Sequence, residues 1–352
     1  MARYGLIALI ALAAVAARPA PAQESRDEFP GSAVPAPPRG VLRGPADTLV
    51  LLDNGRPNVL LTGYWPPTNE MLRPWSPNSA QNPTGWIGGD WEARGYNVYA
   101  FFPEFPGGTT ANPKGNGDFE VDYQDTSADW WPLLERLRPI ALITFSRANT
   151  TNGWELEGGN RTYTAAGWSP DYLAPTRPTA EMPLYYEPHL LERWSTLPMD
   201  AVVAAITAEV PTLAAFISPI DDSKFLSNCI GYHGNWWHDL HAAADDPIRN
   251  YAAGHIHVGR YVSTADGRLG TTVTLRVLLS HVDGLRPPLA DADADGAVDF
   301  TDALVALAAL SGPDRPAAPE TDPADFARAD TNRDGDVDLA DLSLWQGAYA
   351  TP

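Results

Sequence analysis

Residues 212–262 read TLAAFISPIDDSKFLSNCIGYHGNWWHDLHAAADDPIRNYAAGHIHVGRYV, and this stretch decides the fold. The apolar run at 212–217 predicts a buried strand, 225–242 an amphipathic helix, and 255–262 a second strand. The alternation continues on both sides, with strands expected at 58–64, 96–102 and 140–145 and helices at 130–137, 201–209 and 271–282. Strands separated by helices predict an α/β fold, a doubly wound and mostly parallel sheet with helices on both faces. The stretch 148–196, rich in Pro, Gly and Trp, fits neither period and is expected to form loops over a site.

With 44% hydrophobic residues in 352, the chain can bury a sizeable core. A net charge of −20 opposes nucleic-acid binding, which depends on Lys and Arg neutralising phosphates. The single cysteine, Cys229, excludes an internal disulfide and a Cys-rich zinc site.

At the N-terminus Arg3 precedes an apolar run at 6–17, and Ala20-Pro21-Ala22 offers a cleavage site, which predicts a signal peptide over 1–22. No apolar stretch is long enough to span a bilayer. The expected protein is therefore exported, extracellular or periplasmic after cleavage. Five prolines between 23 and 45 predict an extended linker. An α/β domain is expected over 46–285, then a joint at 286–290 marked by Arg286-Pro287-Pro288, then a separate module over 291–352.

That last module is acidic. From residue 285 onward 14 Asp and Glu face four Arg, which is half of the chain's net charge. Asp291, Asp293, Asp295, Ala297, Asp299 and Asp302 repeat the spacing of a 12-residue calcium loop, with Gly296 at the sharp turn. Asp330, Asn332, Asp334, Asp336, Asp338 and Asp341 do so again around Gly335. Two Ca2+ ions are expected, each loop leading into an apolar helix at 303–310 or 342–349. Neither segment has enough core to fold unaided, so metal binding should stabilise it.

Asp at the twelfth position of both loops, and no evident incoming helix, make residues 290–350 resemble the type I dockerin module. The resemblance implies a small α-helical calcium-binding domain and a cohesin-like protein partner. The positions that would meet that partner, Phe300-Thr301 and Leu339-Ala340, are not the Ser-Thr pairs of cellulosomal dockerins, so a cellulosome is not implied.

Five of the seven histidines lie between His233 and His257, beside Cys229. Residues 221–229 run from a strand end into a helix start, where main-chain N–H groups could lower a thiol pKa or hold an oxyanion. A histidine on the next strand could serve as general base. Only one of His255 and His257 is expected to face that site.

The order of these pieces resembles pyroglutamyl peptidase I, the pyrrolidone-carboxylate peptidase family of cysteine peptidases, over 58–285. The family's Thr-Gly-Phe-x-Pro-Phe is similar to Thr62-Gly63-Tyr64-Trp65-Pro66-Pro67, and its Asn-Pro-Ser-Trp to Asn82-Pro83-Thr84-Gly85-Trp86. Its Glu-Arg-x-Ala-x-Asn meets Glu155 to Asn160 at the first and last places, and its His-Val-Pro meets His257-Val258-Gly259. Tyr-Leu-Cys-Asn falls on Phe225-Leu226-Ser227-Asn228, which lays Ser227 on the family's cysteine and leaves Cys229 two residues later. The resemblance implies metal-free acyl transfer from an N-terminally blocked amide or peptide, with Cys229 or Ser227 as nucleophile, His257 as base and Glu155 orienting the imidazole. Glu157 is an equally available acid. Tyr64, Pro67, Asn82 and Ser146 would line the substrate pocket.

Neighbours two apart on a helix diverge by about 200°, so Ser227 and Cys229 cannot both face His257. Two other readings stand beside this one. His238 and His241, with Asp239 and His233 near, offer a zinc-dependent hydrolase. Loss of the cysteine position offers an inactive peptidase-like binding module.

Overall fold

A computed structural model of the chain describes residues 56–349, apart from 245, 247, 287–289, 294–296 and 333–334. The expected signal peptide, the 23–45 linker and most of the joint lie outside the described residues, as do Asp295, Gly296 and Asp334 of the calcium loops.

The elements run β1 Asn58–Thr62, α1 Thr68–Leu72, β2 Asn97–Phe101, β3 Pro103–Glu104, β4 Asn116–Gly117, α2 Tyr123–Leu137, β5 Ala141–Arg147 and β6 Gly153–Arg161. They continue with β7 Glu192–Trp194, α3 Met199–Glu209, β8 Ala214–Asp221, α4 Leu226–Leu240, β9 Ala252–Val258 and α5 Thr264–Leu285. In the acidic module α6 spans Phe300–Ala309, α7 Pro323–Ala329 and α8 Leu339–Tyr349.

The main sheet has seven strands in the order β2-β1-β5-β9-β6-β7, with β8 also paired to β6. β2, β1, β5 and β9 are mutually parallel, and so are β6 and β8. β6 runs antiparallel to both β9 and β7. The fold is thus the expected α/β class with a mostly parallel sheet. The stretch 148–196 corrects the sequence reading: it carries β6, a central strand, as well as loops. Its glycines and four polar side chains hide the strand pattern.

Period-two alternation sorts the sheet into two cores. Val59, Leu61, Ile143, Phe145, Trp154, Leu156, Ile256 and Val258 pack with α3 and α5 side chains such as Val202, Ile206, Leu275 and Leu279. Leu60, Tyr99, Phe101, Leu142 and Ala253 face the other way, toward α2 and α4. Helices therefore cover both faces, as central strands rich in β-branched and large apolar residues require.

Local sequence fixes the helix ends. Asp122 caps α2 by accepting from the N–H groups of Gln124 (2.8 Å) and Asp125 (3.1 Å). Ser263 caps α5 through Asp266 N–H at 3.0 Å. α4 approaches the sheet closely because its facing stripe is glycine. A Cβ on Gly231 would stand 2.6 Å from Asn160 Nδ2, and one on Gly234 3.0 Å from Leu142 Cδ1.

In the acidic module α6 and α8 start earlier than expected, and α7 precedes the second calcium loop, where the sequence makes no incoming helix evident. Phe326 and Ala329 of α7 join Ala306, Ala309 and Val337 in a small apolar cluster.

Candidate functional site

His255 and His257 both lie on the α4 side of β9, opposite Ile256 and Val258. Residues two apart on a strand share a face, so the expectation that only one would face the site is overturned. The two rings meet edge to face with centroids 4.8 Å apart.

His255 is fully buried. Its Nδ1 pairs with Thr144 Oγ1 and its Nε2 with Ser146 Oγ, each at 2.7 Å. Burial, together with the neighbouring His257, holds its pKa well below the usual imidazole range. It is a neutral ring between two hydroxyls.

His257 Nδ1 is bonded to Glu157 Oε1. The side chain of Glu157 is 3% exposed and that of His257 13%. Asn160 Nδ2 donates to Glu157 Oε2 at 2.9 Å, and Asn235 Nδ2 of α4 donates to Asn160 Oδ1 at 2.9 Å. Burial raises the Glu157 pKa to about 7 against the lowering pull of His257. For His257 burial pulls down, but the charge and hydrogen bond of Glu157, with Asp221 and Glu155 nearby, raise it on balance. The pair therefore holds its proton tightly.

Glu155, the acid expected beside the imidazole, stands opposite His257 in the β6–β9 register and adds its charge to that ring. The bonded carboxylate is Glu157. Both project from one face of β6, a consequence of the Glu155-Leu156-Glu157 alternation.

α4 separates the two expected nucleophiles. Gly231 and Gly234 face the sheet, and Ser227, one turn before Gly231, heads that stripe. Ser227 is half-buried. Among the described residues no hydrogen bond joins it to His257. Cys229 belongs to the other stripe with His233 and Trp236, which packs on Trp130 and Trp131 of α2. Its Sγ lies 3.8 Å from His233 Nδ1, and burial, with Asp171 and Asp122, pushes the thiol pKa up. The expectation of a Cys229 nucleophile meets a thiol sealed in the core and kept protonated. Phe225 provides no side-chain cap at the start of α4.

The expected pocket residues serve mainly as packing. Tyr64 is buried, with its hydroxyl 2.5 Å from Thr126 Oγ1. Pro67 is buried at the start of α1. Asn82 Nδ2 donates to the carbonyls of Pro74, Ser76 and Gly85 and so organises its own loop. Of the four, Ser146 alone touches the histidines.

The zinc set read from sequence does not converge. His233 is enclosed by tryptophans with its pKa lowered to about 4 by burial, His238 Nδ1 pairs with Asn250 Oδ1 at 3.0 Å, and His241 Nδ1 with Asp246 Oδ2 at 3.0 Å. Asp239 is tied to Arg193.

In the acidic module carboxylate oxygens of Asp291, Asp293 and Asp302 converge, as do those of Asp336, Asp338 and Asp341. Asp302 and Asp341 are each 1% exposed and Asp330 2%. Asp302 Oδ1 accepts from Ala292 N–H (2.6 Å), and Asp341 Oδ1 from Asn332 N–H (3.1 Å). Gly335 takes φ +98° and donates its N–H to Asp330 Oδ2 at 2.9 Å. Asp299 caps α6 through Thr301 N–H at 2.7 Å. Buried carboxylates drawn together are costly without a cation between them, and an all-oxygen set suits Ca2+. The residues fit the ion.

Residues 289–346 match the family model described as Dockerin type I domain. The α/β part is similar to solved pyroglutamyl peptidases. A mutant pyrrolidone carboxyl peptidase of Pyrococcus furiosus is 16% identical, with 64% of this chain and 99% of that one covered and a TM-score of 0.45. The pyrrolidone carboxyl peptidase of Thermococcus litoralis is 16% identical, covering 65% and 96%, with a TM-score of 0.46. Pyroglutamyl peptidase I of Bacillus amyloliquefaciens is 14% identical, covering 64% and 98%, with a TM-score of 0.43. No curated protein matches the chain. No helix among the described residues is long and apolar enough to cross a membrane.

Proposed function

We propose that the α/β part of this exported chain is an acyl-transfer hydrolase acting on an N-terminally blocked amide, held by its dockerin module to a cohesin-like protein. The observation that carries the reading is the buried Glu157–His257 pair on the side of the sheet that the Ser227 stripe of α4 faces. Glu157 fixes the imidazole through Nδ1, which leaves Nε2 to act as base.

In this reading Ser227 Oγ attacks the amide carbonyl while His257 takes its proton. The C–N bond then breaks, the proton passes to the leaving amine, and water releases the acid by the reverse path. The first-turn N–H groups of α4, which no capping side chain covers, stabilise the oxyanion. Catalytic hydrogen bonds commonly tighten only with substrate bound. In the acidic module Asp291, Asp293 and Asp302 hold one Ca2+ and Asp336, Asp338 and Asp341 a second, each fixing the start of the helix that follows.

A binding module without turnover is the second reading, favoured by the sealing of Cys229 in the core. A panel of fluorogenic N-blocked aminoacyl amides, the pyroglutamyl amide among them, separates the two. Turnover that is lost in both Ser227→Ala and His257→Ala supports the hydrolase; no turnover of any member, or turnover that persists in both variants, refutes it.

A further inference from the structure

We propose that Glu157, His255 and His257 form a binding site for one divalent transition-metal ion of the zinc class. Each offers one donor atom, and the three atoms lie within 4.8 Å of one another. Zinc bonds of about 2.0–2.2 Å bring such donors roughly 3.5 Å apart, so small side-chain rotations close the set. The two imidazoles come from a His-x-His on β9. The carboxylate comes from β6, whose pairing of Glu155 with His257 and Leu156 with Ile256 brings Glu157 opposite His255. All three stand on strands in the middle of the sheet.

The outer contacts are those a metal site needs. Thr144 Oγ1 holds His255 Nδ1 at 2.7 Å, which turns Nε2 inward toward Ser146. Asn160 holds the second oxygen of Glu157, and Asn235 holds Asn160. Such partners fix the orientation of metal-bound imidazoles and carboxylates. His257, the most exposed of the three, marks the way in. Two nitrogens and one oxygen favour zinc-class ions over Ca2+, whereas the loops at 291–302 and 330–341 offer oxygens only. The chain thus sorts two kinds of cation by donor type.

Binding would take His257 Nδ1 and Glu157 away from each other. The ion and the base catalysis described above are then mutually exclusive, and zinc acts as a reversible inhibitor.

The test uses the full-length protein saturated with Ca2+. Titration with Zn2+ by calorimetry and with Co2+ by visible absorption is expected to give one equivalent, with a cobalt spectrum of a four- or five-coordinate N/O site. His255→Ala should abolish that equivalent, Thr144→Val should weaken it roughly 10- to 100-fold, and His241→Ala should leave it unchanged. Two paramagnetically shifted imidazole resonances in the cobalt protein would identify the ligands even if His255→Ala fails to fold. Absence of stoichiometric binding, or binding lost in His241→Ala and kept in folded His255→Ala, overturns the site. Because binding is read without turnover, failure of the metal site leaves the hydrolase reading intact, and the converse also holds.

Discussion

Replacing Cys229 by Ala separates two roles that the same residue could play on α4. The side chain is fully buried among Trp131, Tyr232, Trp236 and other members of the α2–α4 core. Removing the sulfur forfeits about 1 kcal/mol of transfer free energy, by analogy with a buried methylene. A residual void of roughly 25 Å3 adds about 0.6 kcal/mol at about 24 cal/mol per Å3. The sum, about 1.5 kcal/mol, corresponds to a fall of roughly 3–6 °C in Tm for a domain of this size. Turnover per folded molecule should be unchanged, because the thiol sits on the helix face turned from His257. Loss of a true nucleophile would instead lower kcat by a factor on the order of 10⁶. Calorimetry gives the first number and the fluorogenic amide assay the second. A variant that keeps its Tm but loses turnover would refute the assignment of Cys229 to packing. A thiol reagent offers a control, since Cys229 in the native protein should react only as fast as the core opens.

Two further outcomes follow from the site and the acidic module. Burial raises Glu157 to about 7, and His257 is raised as well, so the folded pair binds protons more tightly than the unfolded chain does. The stability this contributes is complete below the unfolded carboxylate and imidazole values and is lost as pH rises through about 7; urea midpoints between pH 4 and 8.5 should show that decline in the wild type, and Glu157→Gln should flatten it, an unchanged slope arguing against the pair. Chelation of Ca2+ should remove the helicity and thermal transition of the module at 289–346 without changing turnover by the α/β part, as read by circular dichroism and the amide assay with calcium restored as control; a module equally stable in excess chelator would contradict the calcium assignment.

The sequence made the sheet legible where strands are continuously apolar, as in Val59-Leu60-Leu61 or Ala141-Leu142-Ile143. It concealed β6. Gly153, Gly158 and Gly159 break the apolar pattern, and Glu155, Glu157 and Asn160 look like loop polarity until a neighbouring strand supplies their partners. His257 is picked out as the expected base by the similarity of His257-Val258-Gly259 to the family's His-Val-Pro, not by strand periodicity, which does not separate it from His255. Its carboxylate could not be chosen between Glu155 and Glu157, because both share a face and only three-dimensional placement decides which reaches Nδ1. The His255 bonds to Thr144 and Ser146 join residues 111 and 109 positions apart, a distance at which periodicity carries no information. The carboxylate clusters of the calcium module, by contrast, are local, and regular spacing exposes local sites.

β6 is held between β9, which runs against it, and β8, which runs with it. Sliding it by a single residue would exchange Glu157 for Leu156 or Gly158 and confront both imidazoles with hydrocarbon or bare main chain. Alignment of one ladder thus governs whether Glu157 and His257 meet. Substitutions far from the histidines, in the β8 pairing that pins β6, are therefore expected to part Glu157 from His257 without altering either residue.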